Sequence, residues 1–257
     1  GTAGTAIGLT LAATTAVTGD SLAVRSGPQE KLTRLFQFWT DVQVAGTARI
    51  RSPRMHDNVQ GIRVDTIISD LYPLLPWGVT QRLYPNDTLT VDLAGSTVAG
   101  DLEYVVMMLL YEDLAGANAR FIDKAELMRR AVNISSVSNT ISTGTTTAWA
   151  GAEAINVEFD QFHAGRDYAL VGYLVDAEAA AVAWRGPDTS NYRVGGPGLE
   201  TDRSITQDWF LRLSERLGVP LIPVISAENK AGTNIDALQD ENGADTTVIS
   251  HWVELTK

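Results

Sequence analysis

The chain has 257 residues and a mass of 27.7 kDa, with 44% hydrophobic and 20% charged residues, the proportions of an ordinary folded protein. That length suffices for one large β domain or two smaller ones. Its 31 acidic residues against 20 basic ones give a formal charge of −11, which disfavours sequence-independent adhesion to nucleic acid or to an anionic bilayer. The absence of cysteine excludes disulfides, thiolate catalysis and Cys-based zinc sites.

Gly1 to Thr18 are uncharged, rich in Gly, Ala and Thr, and lack the basic start and compact apolar centre of a signal peptide. Residues 1–19 are expected to form a first strand around Ile7 to Ala13, or an extended arm that packs on a neighbouring subunit. Period-two patterning then predicts strands near 20–25, 33–39, 44–51, 60–68, 79–84, 88–94 and 102–112. Turn chemistry at Ala45-Gly46, Pro53, Pro85-Asn86-Asp87 and Ala94-Gly95-Ser96 separates them. The most informative is 102–112: from Tyr104 to Tyr111 both alternating side-chain sets are apolar, as in a central strand covered on both faces. No run approaches the ~20 apolar residues a membrane-spanning helix needs.

A boundary near Leu114–Asn118 divides the chain into a first sandwich, 20–116, and a second, 117–257, with no sequence repeat between them. The second half offers strands near 126–137, 153–160, 168–175, 179–185, 191–195, 219–225, 233–239 and 246–255. Asp123 to Arg130 reads either as a short helix or as the start of a bulged strand. With the N-terminal run the count is about sixteen strands, enough for two sandwiches of eight. One segment argues firmly for a helix, Ile205 to Leu217. Ser204 suits its N-cap, Gly218 and Pro220 end it, and Ile205, Trp209, Phe210, Leu213 and Leu217 form one apolar stripe.

Nothing in the chain spells out a reaction. Arg49, Arg51, Arg54 and Arg63 fall close together, and Arg49 and Arg51 share a strand face. Without interleaved aromatics or a glycine cradle they read as solvated charges or subunit-contact arginines. Arg54-Met-His56-Asp57-Asn58, with Ser52 nearby, is the most reactive-looking cluster, yet no Gly-x-Ser-x-Gly elbow accompanies it, and it reads as a polar loop. His163 and His251 stand in other segments, with no metal-binding spacing. The acid pairs Glu112-Asp113, Asp176/Glu178 and Asp236 with Asp240-Glu241 are expected as solvated groups at strand ends or turns. Asp240 to Asp245 matches no EF-hand spacing, and Gly95 to Gly100 is followed by Asp101 where a phosphate loop needs Lys. No catalytic residue, cofactor or metal ligand is therefore expected. Gly144–Trp149 and Arg185–Gly198 are the most loop-like stretches, which makes Trp149, Trp184 and Tyr192 candidate stacking faces.

The two strand-rich halves, the doubly apolar strand 102–112 and the helix leading into Val219-Pro-Leu-Ile-Pro-Val-Ile225 resemble a viral jelly-roll coat protein. More specifically, they resemble the small double jelly-roll coat proteins of tailless icosahedral viruses. The resemblance implies an all-β, antiparallel sandwich fold of two packed jelly rolls with one amphipathic helix near 204–217. It also implies a non-enzymatic coat subunit that forms homotrimers, assembles with further copies and other capsid proteins into an icosahedral shell, and resides in the virion. The chain departs from the family in showing one clear helix where the family places one in each roll. The alternative is a carbohydrate- or receptor-binding sandwich, such as a viral spike or attachment module, that uses Trp149, Trp184 or Tyr192 on exposed loops.

Overall fold

The computed structural model describes residues 2–12, 17–23, 32–41, 46–54, 61–66, 81–84, 87–94, 102–112, 120–142, 149, 153–155, 161–176, 179–198, 203–239 and 245–257. The chain divides into two compact units, residues 7–115 and residues 116–257 together with 1–6.

Among the described residues, eight strands lie in the first half: β1 Thr2–Ala12, β2 Val17–Ala23, β3 Leu32–Asp41, β4 Gly46–Arg51, β5 Ile62–Thr66, β6 Gln81–Leu83, β7 Thr88–Ala94 and β8 Leu102–Glu112. They form two sheets, ordered β1-β8-β3-β6 and β2-β7-β4-β5. The adjacencies β1/β8, β2/β7, β3/β6 and β4/β5 are nested, and successive pairs alternate between the sheets. One long hairpin ribbon wound into a sandwich gives this order, which is the jelly-roll topology.

The second half repeats it. After the short β9 Phe121–Ile122 and the helix α1 Lys124–Arg130 come β10 Ala131–Ile141, β11 Glu153–Ala154, β12 Asp167–Val175 and β13 Ala179–Arg185. Then follow β14 Val194–Gly198, the helices α2 Arg203–Thr206 and α3 Trp209–Leu217, β15 Ile222–Ser226, β16 Asn234–Gln239 and β17 Thr246–Leu255. The sheets are β10-β17-β12-β15-β9 and β11-β16-β13-β14, so the nested pairs are β10/β17, β11/β16, β12/β15 and β13/β14. The protein is thus all-β and antiparallel, with two jelly rolls of one topology carried by halves that share no sequence repeat.

Position in the sheet explains the strand sequences. β8 stands between β1 and β3, the interior place that its doubly apolar run predicts. Its counterpart β17 stands between β10 and β12; it alternates buried and half-buried residues from Thr246 to His251, then buries all of Trp252 to Leu255. The core of the second roll is aromatic. Trp184 lies 5.0 Å from Tyr173 and 6.0 Å from Phe210 between ring centroids, and Phe162 stacks on Tyr168 at 3.9 Å. Tyr173 donates its hydroxyl to the Pro197 carbonyl at 2.6 Å, and burial pushes its phenol well above the ordinary range.

Three local expectations need correction. The helix expected from Ile205 to Leu217 is two helices separated at Gln207–Asp208, with Ser204 inside the first and not its cap. The Thr206 and Gln207 carbonyls abut Gly172 of β12, where an added Cβ would stand 2.2 Å from the Gln207 oxygen. Asp208, at the N-cap of α3, pairs with Arg212, and Gly218 closes the helix at φ 65° with its N–H on the Ser214 carbonyl. The strand expected at 126–137 starts later: Asp123 caps α1 by accepting from the Glu126 N–H at 2.7 Å, and the extended chain begins at Ala131. Finally, the breaker-rich 185–198 holds a fully buried strand, β14. Its Gly196 passes so close to Trp209 and Tyr173 that a Cβ would lie 2.4 Å from each.

Candidate interaction site

The register of the sheet β11-β16-β13-β14 brings four distant residues together. Asp236 of β16 stands opposite Ala183 of β13, Ala183 opposite Gly195 of β14, and Trp149 opposite Leu238. Cross-strand partners share a face, as do residues two apart on a strand. Trp149, Asp236, Arg185 and Arg193 therefore gather on one face, while Trp184, Ile235 and Val194 project from the other into the core.

The contacts follow that geometry. Arg185 and Arg193 each donate Nε–H to Oδ2 of Asp236 at 2.7 Å. The Arg193 guanidinium carbon also lies 4.8 Å from the centre of the Trp149 ring. The Asp236 side chain is 1% exposed, against 32% for Arg185 and 35% for Arg193. Ala181 and Ala183, fully buried and small, allow the long side chains to lie along the sheet. The other carboxylate oxygen, Oδ1, is buried without a hydrogen-bond partner among the described residues. A buried acid with one oxygen doubly held and the other unpaired is costly to maintain, so the two arginine contacts are what hold it there.

Of the residues expected from sequence, Trp149 belongs to this cluster and is half-buried. Tyr192, next to Arg193, is half-buried in the turn after the 3-10 helix Pro187–Thr189, with its N–H on the Thr189 carbonyl and its own carbonyl accepting from the Thr189 hydroxyl. Trp184 is no loop residue. It is 1% exposed within β13, on the core face, because one step of strand separates it from Arg185 and reverses its direction. Arg49, Arg51 and Arg54 belong to the first unit. Arg49 stands opposite Arg63 on one side and Asp92 on the other, and Arg51 opposite Thr90. Arg54 is exposed, with its guanidinium carbon 6.0 Å from the Tyr84 ring centre.

The expected polar groupings also sort differently. Ser52 is buried and donates its hydroxyl to Asp87 at 2.5 Å, a partner 35 residues away that no local pattern indicates. His56, Asp57, Asp113, Glu178 and residues 240–244 lie outside the described residues. Asp176 accepts from the Thr247 N–H, a turn contact. Asp236, expected as a solvated acid, is a buried one because it lies mid-strand beneath the two arginines. Ser136 and His251 face each other across β10 and β17, with 2.9 Å between Oγ and Nδ1. The His251 Nε2 is buried without a partner among the described residues, which favours the tautomer whose Nδ1–H donates to Ser136. An imidazole so arranged does not take the serine proton. No group of three His, Asp or Glu residues converges on a common point among the described residues.

The class these features define is a tandem jelly-roll protein with an ion-paired cluster on one sheet, on the face opposite the aromatic core. No protein-family model matches the chain, and no curated protein matches it in sequence. Among solved structures it is similar to the PBSX exported protein XepA, at 12% identity and a TM-score of 0.28, covering 96% of this chain and 84% of that one. It is also similar to the major capsid protein P2 of bacteriophage PM2, at 9% identity and a TM-score of 0.24, covering 100% and 98%. The STIV MCP is 7% identical, with a TM-score of 0.22 and coverage of 98% and 96%. At TM-scores this low, none of these likenesses fixes a function.

Proposed function

We propose that this chain is a structural subunit of a viral shell, a major capsid protein that self-associates as trimers and builds a closed icosahedral coat. The observation that carries the reading is the tandem topology: two rolls on one chain, each built on four nested strand pairs that alternate between two sheets. Three such chains arranged about a threefold axis present six similar rolls, a unit that tiles a curved surface by repeated contacts. The outer faces of the rolls then serve as interfaces, and the acidic surface keeps free subunits soluble.

A second reading, an acidic jelly-roll module that binds a glycan or receptor, draws on the partial exposure of Trp149 and Tyr192. Arg193 already lies over the Trp149 ring, and Trp184 is buried, so neither tryptophan offers an open stacking face. The deciding experiment is the mass of the purified full chain by light scattering, with negative-stain imaging. A trimer or a closed particle supports the coat reading; a monomer of 27.7 kDa at all concentrations overturns it.

A further inference from the structure

We propose that Arg185 and Arg193 form a receptor for a carboxylate presented by a second copy of this chain, an inference that rests on the self-assembling reading above. Each guanidinium is anchored to Asp236 through Nε alone. The terminal nitrogens of both have no hydrogen-bond partner among the described residues. Those nitrogens are the planar fork that matches a carboxylate with two parallel hydrogen bonds. The Trp149 ring beneath Arg193 and the shared carboxylate between the two side chains fix the forks before a partner arrives, which lowers the ordering cost of binding.

The charge balance points to the same occupant. Two cations around one anion leave a local formal surplus of one positive charge on a chain whose total is −11. Copies of so acidic a protein repel one another except where such a surplus meets an acid, so the cluster marks where a neighbour's carboxylate is welcome. Its two arginine side chains are about one-third exposed above the buried carboxylate, which suits a protein side chain arriving from solvent.

The test compares the wild-type full chain with the double variant R185K/R193K by light scattering across a dilution series. Lysine keeps a cation beside Asp236 but has no planar fork. The expected result is a folded variant, checked by circular dichroism and thermal melting, whose self-association is weaker by about tenfold or more. Glutarate should also dissociate wild-type assemblies more than chloride does at matched ionic strength. Assembly of the double variant equal to wild type overturns the receptor and leaves the coat reading standing. A wild-type chain that stays monomeric overturns both. Should the variant fail to fold, the wild type decides alone: glutarate acting no more strongly than chloride overturns the proposal.

Discussion

The second roll holds two clusters in which a pair of arginines meets an aspartate, and they spend their donors in opposite ways. In the first, Arg120 grips Asp167 through its fork, Nη1 to Oδ1 at 3.0 Å and Nη2 to Oδ2 at 2.5 Å. Arg130 adds Nη2 to the same carboxylate at 3.5 Å, Nη1 to Glu126 at 3.0 Å and Nε to the Thr256 carbonyl at 2.9 Å. Asp188, 3.9 Å from Arg120, accepts from the Ser226 N–H and the Asn229 amide, both at 2.9 Å. Here Arg120, Arg130 and, at 3.9 Å from Glu126, Arg129 are matched by Asp167, Asp188 and Glu126, and the Asp167 hydrogen bond raises the already high Arg120 pKa. The cluster is closed: it ties β9 and α1 to the start of β12 and to the turn at Pro187–Thr189. Among the described residues, the Asp236 cluster uses only the two Nε groups and is open. The difference teaches that a guanidinium–carboxylate contact by itself says little about role; which edge of the guanidinium is committed says more.

The deepest contrast is burial, so the largest effect is expected from the acids. Asp236→Ala should cost about 3 kcal/mol in urea unfolding, because it leaves two adjacent cations without their buried counter-charge. Asp167→Ala, at a site whose acid is 23% exposed, should cost about 2 kcal/mol. A reversed order would show that burial does not set the energetics here.

Next in size is the fork itself. Arg120→Lys should cost about 1.5 kcal/mol, since lysine cannot reproduce the bidentate grip, whereas Arg193→Lys should cost less than about 1 kcal/mol because lysine keeps a cation beside Asp236 and over Trp149 and loses one Nε contact. Equal losses, read from paired denaturation curves, would erase the distinction between a closed and an open cluster. Trp149→Ala should take away about 0.5–1 kcal/mol of stacking on Arg193 and leave the closed cluster untouched. A double-mutant cycle with Arg193→Met, which removes the cation, measures that coupling.

The smallest expected effect lies outside both clusters and calibrates the background. Burial holds the His251 pKa below its ordinary 6.5, so between the two values the unfolded chain carries the extra proton. Stability should therefore fall as pH drops through 6.5 and continue to fall until the folded-state value is passed. His251→Gln should flatten that part of the pH–stability curve. An unchanged acid limb would show that His251 does not contribute to it.

Much of the architecture was legible from alternation alone. The strands expected at 88–94, 102–112, 179–185 and 246–255 are β7, β8, β13 and β17, because period two with turn residues at both ends admits few other conformations. Composition likewise determined the acidic surface and the absence of sulfur chemistry. What alternation cannot say is which of the two faces turns inward, and a one-residue difference in that choice sends Trp184 to the core and Arg185 to the surface. Of the candidate site, the sequence singled out Trp149 as a stacking face and Asp236 as an acid paired with Asp240-Glu241, expected to be solvated. Arg185, Arg193 and Asp236 meet Trp149 only because Trp149 bridges Leu238 of β16, β16 pairs with β13, and β13 with β14. Those pairings are set by the nested winding of the whole roll, a long-range property fixed by burying both sheets against each other, and no local pattern carries it.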